Sequence, residues 1–209
     1  MICILGGTFD PVHLGHLRPA LEVQQALEIP CVHLLPCRTP PHRPAPKATP
    51  AQRLALLQQA VADEPALAID DRELRREGPS YMVDTLHSLR EDLGEEALCL
   101  ALGSDAFAGL ESWHRWQEIP GLCHLVVMQR PGSAWPREGR LAQLVDEARV
   151  GDIARLKERP AGHIVAVPVT QLDISSTRIR ALLAAGRSAR YLAPDSVIER
   201  IRTENWYAD

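Results

Sequence analysis

Two histidines three residues apart, His13 and His16, close the run GGTFDPVHLGH at residues 6 to 16, where the chemistry-bearing side chains are densest. Gly6 and Gly7 let a backbone pass close to a ligand, and Leu14, Leu17 and Leu21 recur at helical spacing behind them. A helix that starts there presents free N–H groups and a partial positive charge to the turn, the geometry that suits phosphate. Residues three apart share a helix face, so both imidazoles can meet one ligand and donate hydrogen bonds to phosphate oxygens. The run has no GK[ST] of a P-loop, and a proline and two histidines interrupt any GxGxxG pattern. A second candidate anion site lies far along the chain in ISSTRIR, residues 174 to 180. There Ser175 and Ser176 are N-cap types, and Thr177 and Arg178 fall in the first turn.

The elements that must position these groups alternate in type. MICIL (1 to 5) is a short apolar run ended by Gly6 and Gly7, which suits a buried parallel strand. CVHLL (31 to 35) reads as a second strand, and the proline-rich, basic stretch PCRTPPHRPAPK (36 to 47) after it is a loop. Thr49, Pro50 and Gln52 make an N-cap, a first-turn proline and a capping-box partner, and Leu54, Leu57 and Val61 supply one face of the helix they start. Residues 66 to 69, ALCLAL (97 to 102) and HLVVMQ (124 to 129) are further strands, and residues 80 to 93 form a helix. Residues 131 to 162 show weak periodicity, and no strand is assigned after residue 129. Ile179, Leu182 and Leu183 mark one late helix, and Val197, Ile198 and Ile201 another.

This alternation predicts one α/β domain: a Rossmann-like, mostly parallel sheet with helices on both faces and a small C-terminal helical subdomain from about residue 174 to 209. Ligands of such sheets bind beyond the carboxyl ends of the strands. Asp105, just after Gly103, stands at such an end, where a carboxylate can accept hydrogen bonds from ribose hydroxyls. The 209 residues, 45% hydrophobic, suffice for a full core, and a net charge of −4 argues against a generic nucleic-acid binder. Short, charge-interrupted apolar stretches predict no membrane segment. Five cysteines without a CxxC pair fit neither a disulfide framework nor a zinc site, so they read as thiols of a cytoplasmic protein.

GGTFDPVHLGH resembles the signature of the nucleotidylyltransferase superfamily, whose HxGH element is here His13, Leu14, Gly15 and His16, and ISSTRIR resembles its second element. PPHRP (40 to 44), PSYMVDTL (79 to 86), GSDAF (103 to 107), SWHRW (112 to 116) and HLVVMQRPG (124 to 132) are similar to bacterial nicotinate-mononucleotide adenylyltransferases, in order across nearly the whole chain. The resemblance implies direct transfer of AMP from ATP to nicotinate mononucleotide, giving nicotinate adenine dinucleotide and pyrophosphate. It implies Mg²⁺ carried with ATP, no protein-built metal site and no covalent enzyme intermediate.

The resemblance also implies roles. His13 and His16 meet the ATP phosphates, with His16 stabilising the transition state, and Gly6, Gly7, Thr8 and Phe9 complete the cradle. Asp105 belongs to the ATP half, and Arg178, with Ser175 and Thr177, holds the β and γ phosphates. Asp10, Arg43, Tyr81, Met82, Val83, Trp113 and Arg130 belong to the mononucleotide half, with Trp113 offering its indole face to the pyridine ring and Arg43 its charge to the phosphate. Met82 stands where relatives often carry threonine, and His114 where tyrosine is common; both departures bear on how strictly the acceptor carboxylate is demanded. Transfer to nicotinamide mononucleotide or phosphopantetheine, and a noncatalytic nucleotide sensor, are the competing readings, and a homo-oligomer is left open.

Overall fold

The computed structural model describes residues 1–41, 44–129 and 134–208. Its strands are β1 (Ile2–Gly7), β2 (Val32–Pro36), β3 (Leu67–Ile69), β4 (Leu98–Gly103), β5 (His124–Gln129) and β6 (Ile164–Pro168). Its helices are α1 (Leu14–Leu27), α2 (Pro50–Val61), α3 (Arg72–Arg75), α4 (Met82–Leu93), α5 (Ser104–Ala108), α6 (Ile119–Leu122), α7 (Gly139–Ala148), α8 (Ser176–Ala184) and α9 (Asp195–Thr203). The strands pair in the order β3-β2-β1-β4-β5-β6, every pairing parallel. This is the doubly wound Rossmann-like arrangement, with its switch point at the carboxyl ends of β1 and β4.

Each central strand is buried on both faces, and alternate residues enter separate cores. Cys3, Leu5, Ala101, Val126 and Val165 face a core closed by Ala20 and Val23 of α1, Leu56 and Leu57 of α2, Ile179 of α8, and Val197, Ile198 and Ile201 of α9. Ile4, Leu100, Val127 and Ile164 face the other, closed by Leu86 of α4, Phe107 of α5, Ile119 of α6 and Leu141 of α7. The two late helices therefore share the sheet's own core.

Three local expectations change. β1 runs on through Gly6 and Gly7, because Gly6 and Gly7 keep register with Leu35 and Pro36 of β2. The weakly periodic stretch contains α7, whose Leu141, Ala142 and Val145 are buried, and the chain then forms a sixth strand, IVAVP. That run is too short to announce itself by period; its pairing with β5 makes it a strand. On α2 the buried residues are Arg53, Leu56 and Leu57, with Arg53 an unexpected member of the apolar face. The capping box is as read: Gln52 N–H reaches Thr49 Oγ1 at 3.3 Å, and Thr49 N–H reaches Gln52 Oε1 at 2.8 Å.

Candidate active site

The end of β1 is a crowded turn that needs glycine for close approach. A Cβ on Gly7 would stand 2.7 Å from the ring of Phe9, and one on Gly6 would stand 2.9 Å from the Met82 methyl. Phe9 is buried at φ 50°, a left-handed backbone that its packed ring holds in place, and it meets the His16 ring edge-on at 5.0 Å. His13 is the N-cap residue of α1, extended at φ −152°. Its ring stacks on His16 with centroids 3.7 Å apart, and the His13 backbone N–H donates to His16 Nδ1 at 3.3 Å. A Cβ on Gly15 would lie 3.1 Å from the His13 ring, so glycine is what lets that ring lie against the first turn.

Burial pushes the His13 imidazole down to about 4, so it is neutral near pH 7. A neutral ring has one N–H and one lone pair, and its Nδ1 is buried with no hydrogen-bond partner among the described residues. The pair thus offers hydrogen-bond donors at the mouth of a helix, with His13 adding no positive charge of its own.

ISSTRIR docks on this turn. Ser176 Oγ donates to the carbonyl of Pro11 at 3.0 Å, 165 residues away in sequence, and Arg180 donates to the carbonyl of Asp10 at 2.6 Å. The Ile174 carbonyl lies 3.4 Å from where a Gly15 Cβ would be. Ser175 caps α8 by accepting from the Arg178 N–H at 3.2 Å. Thr177 and Arg178 are exposed, and the Arg178 guanidinium has no ion pair among the described residues. Upstream, Thr170 donates through N–H and hydroxyl to Glu22 of α1, each at 2.6 Å, which moors the approach to α8. Two helix N-termini, of α1 and α8, therefore converge at one sheet end. Asp105, exposed in the first turn of α5, stands at the neighbouring strand end.

The opposite side of the β1 end is built by α4. Tyr81 is its N-cap residue and packs against His114 with ring centroids 4.2 Å apart and planes tilted by 31°. Arg76 donates to the Tyr81 carbonyl at 3.3 Å and to Thr85 Oγ1 at 3.0 Å, and Thr85 donates onward to the buried Glu73 carboxylate at 2.6 Å. Burial raises the pKa of Glu73, with hydrogen bonds from Thr85 and Ser80 opposing. Met82 lies over Gly6, joining this half to the cradle. Val83 is fully buried in the core, which leaves its backbone as the part able to meet a ligand. Trp113 is half-buried against the same core. Arg43 and Arg130 lie outside the described residues.

Asp10 is held by the protein itself. Its buried carboxylate accepts from the Lys47 N–H at 2.8 Å, the Ala48 N–H at 3.0 Å and the Tyr207 hydroxyl at 2.7 Å, and pairs with Arg180 at 3.5 Å. It ties the basic loop, α8 and the chain's end to the turn. Arg180, Tyr207 and Arg53 were not singled out by sequence reasoning. Only Arg53 left a signal there: an arginine three and four residues before two buried leucines, on the inward face of an amphipathic helix.

Residues 4–182 match the cytidylyltransferase-like family model. A "probable nicotinate-nucleotide adenylyltransferase" of Methylococcus capsulatus is 52% identical over 209 residues, covering 100% of both chains. A second of the same name, from Marinobacter nauticus, is 52% identical over 208 residues, 99% of this chain and 96% of its own. Among solved structures, the nicotinic acid mononucleotide adenylyltransferase of Plasmodium falciparum complexed with NaAD superposes with a TM-score of 0.70 at 19% identity, covering 99% of this chain and 97% of that one. At that identity the likeness is one of fold.

Proposed function

We infer the function from one premise: the chain belongs to the nicotinate-nucleotide adenylyltransferase family, within the cytidylyltransferase-like group. The reaction is transfer of AMP from ATP to nicotinate mononucleotide, giving nicotinate adenine dinucleotide and pyrophosphate. The observation that carries it is the docking of the HxGH turn against ISSTRIR, sealed by Ser176 on Pro11. That contact brings two imidazoles and two helix N-termini to one strand end, with Arg178 in the first turn of α8, a donor set suited to a polyphosphate.

Attack by the mononucleotide phosphate on the α-phosphorus needs no protein nucleophile. It needs the two phosphates held in line and the charge on the leaving pyrophosphate stabilised. We assign the α-phosphate to His16 and His13, each donating a hydrogen bond, with Gly6, Gly7 and Thr8 lining the approach and Phe9 buttressing His16 edge-on. Arg178, Ser175 and Thr177 take the β and γ oxygens, so positive charge meets the departing group. Asp105 accepts from the ribose of the adenosine. The acceptor lies across Gly6, its pyridine ring on Trp113 and its carboxylate at the first N–H groups of α4, at Met82 and Val83 beside Tyr81. Arg43 and Arg130 serve the mononucleotide. The tethered carboxylate of Asp10 shapes the acceptor half by holding the loop that carries Arg43.

Mg²⁺ is a hard cation that takes oxygen ligands. Imidazoles and a guanidinium at the cradle do not suit it, and among the described residues no group of three or more His, Cys, Asp or Glu could hold a metal. We therefore propose that it enters on ATP, and no residue step depends on it. We also take the chain as one domain, since Ile179 and Val197 sit in the same core as the sheet. Among the described residues no helix is long and apolar enough to cross a membrane.

The test is incubation with ATP, Mg²⁺ and a panel of nicotinate mononucleotide, nicotinamide mononucleotide and phosphopantetheine, reading pyrophosphate release and product mass. Release is expected with nicotinate mononucleotide and a dinucleotide product. ATP breakdown independent of acceptor overturns the transfer reading, and equal rates with the two pyridine mononucleotides overturn selectivity for the carboxylate.

A further inference from the structure

Arg53 is the largest fully buried side chain among the described residues, and its charge has no carboxylate within ion-pair distance among them. A buried cation is expensive unless it is paired or fully hydrogen-bonded, and an arginine placed there solely to fill space is a poor choice beside leucine. Its surroundings show what it does. Nη1 donates to the carbonyl of Thr8 at 2.7 Å and to that of Cys37 at 2.7 Å, and Nη2 donates to the carbonyl of Arg38 at 3.1 Å. Nε has no hydrogen-bond partner among the described residues.

The three carbonyls belong to two different parts of the site. Thr8 is in the turn that leads to the histidine pair, whereas Cys37 and Arg38 begin the basic loop that leads from β2 toward Arg43. The sheet ladder reaches only as far as Gly7, with the Cys37 N–H on the Gly7 carbonyl at 3.0 Å; beyond that point no described strand pairing holds the two exits together. Arg53 continues the connection by one residue on each side. Its planar fork spaces its acceptors rigidly, which a single ammonium cannot reproduce.

We propose that Arg53 is a positioning residue that sets the separation between the turn carrying Thr8 into the triphosphate cradle and the exit of β2 at Cys37 and Arg38. The proposal rests on the adenylyl-transfer reading above. Two substrates that react directly are sensitive to that separation, because misplacement by about 1 Å can cost on the order of a hundredfold in rate. A residue that only filled the core of α2 would change unfolding and leave kinetics below the melting temperature intact.

The experiment uses the full chain and two variants, R53K and R53A, with thermal unfolding recorded first and kinetics measured well below each melting temperature. The wild type is assayed in parallel with ATP and nicotinate mononucleotide; failure there defeats the function reading itself and is seen before any variant is considered. With an active wild type, R53K is expected to remain folded and to lose roughly tenfold to a hundredfold in kcat, with smaller rises in KM for both substrates. R53A leaves a guanidinium-sized cavity, and millimolar guanidinium is expected to restore several-fold activity where the same concentration of ammonium does not. R53K with kcat and both KM values within twofold of wild type overturns the proposal, as does a loss confined to KM for one substrate. If R53A does not fold, R53K alone decides.

Discussion

Acidification should destabilise the fold through His13, and the size of the loss follows from its burial. The ring lies 4% exposed between the His16 ring and the first turn of α1, and its pKa is pushed down from 6.5 to about 4. A histidine whose folded value lies below its unfolded value binds its proton first in the unfolded chain. Its contribution is therefore intact above pH 6.5 and is lost as pH falls toward 4. At about 1.4 kcal/mol per unit, the whole gap amounts to roughly 3 kcal/mol, of which roughly 2 kcal/mol disappears between pH 7 and pH 4.5. His124 and His163 are also lowered by burial and titrate in the same sense, so the share of His13 must be isolated by substitution. Urea unfolding followed by circular dichroism, at constant ionic strength, should show H13N less stable than wild type at pH 7. The difference should shrink by roughly 2 kcal/mol at pH 4.5, where the wild type alone carries this load. ATP should oppose the effect, since phosphate beside the ring favours its protonated form and raises its pKa. A stability gap that stays constant with pH, or a His13 ring resonance that titrates near 6.5, would refute the reasoning.

Two further substitutions separate geometry from charge. In G15A the new methyl stands 3.1 Å from the His13 ring and 3.4 Å from the Ile174 carbonyl. The ring and the approach to α8 must give by a few tenths of an ångström, and kcat should fall at least tenfold while unfolding by circular dichroism remains cooperative; unchanged kinetics would remove the docked turn from catalysis. R178A deletes an exposed guanidinium that has no ion pair among the described residues, so stability should move by less than about 0.5 kcal/mol. In steady-state assays kcat/KM should drop on the order of a hundredfold, because a charged donor to the leaving group is gone.

In the proposed acceptor half, Met82 and His114 stand where the resemblance leads one to expect threonine and tyrosine. Met82 places its methyl over Gly6, and Tyr81 packs against His114. Both contacts are local packing, and neither requires the hydroxyl of a threonine or tyrosine. A carboxylate bound at the N-terminus of α4 would meet backbone N–H groups whatever side chain follows, so the proposed acid selectivity does not rest on either side chain.

Short-range chemistry was legible before any fold. The glycines, the histidine pair and the helix behind them led to the proposal of a phosphate site because their spacing alone aims N–H groups at a turn. Thr49, Pro50 and Gln52 imply a helix start because capping is completed within four residues. The parallel sheet followed from alternation of strand and helix patterns, whereas its register is set by the long-range strand pairings, since runs buried on both faces carry no alternation to fix it. What local pattern did not supply was any interaction that closes over a long loop. IVAVP becomes β6 only by pairing with β5, and ISSTRIR becomes part of the cradle only when Ser176 meets Pro11. Asp10 becomes a tether when the Lys47 and Ala48 amides, Tyr207 and Arg180 gather on it, and Arg53 leaves the solvent because three carbonyls from two strand exits converge on it. Side-chain type and spacing determined which chemistry was possible; long-range packing decided which polar groups were spent on holding the protein together and which were left to face a substrate.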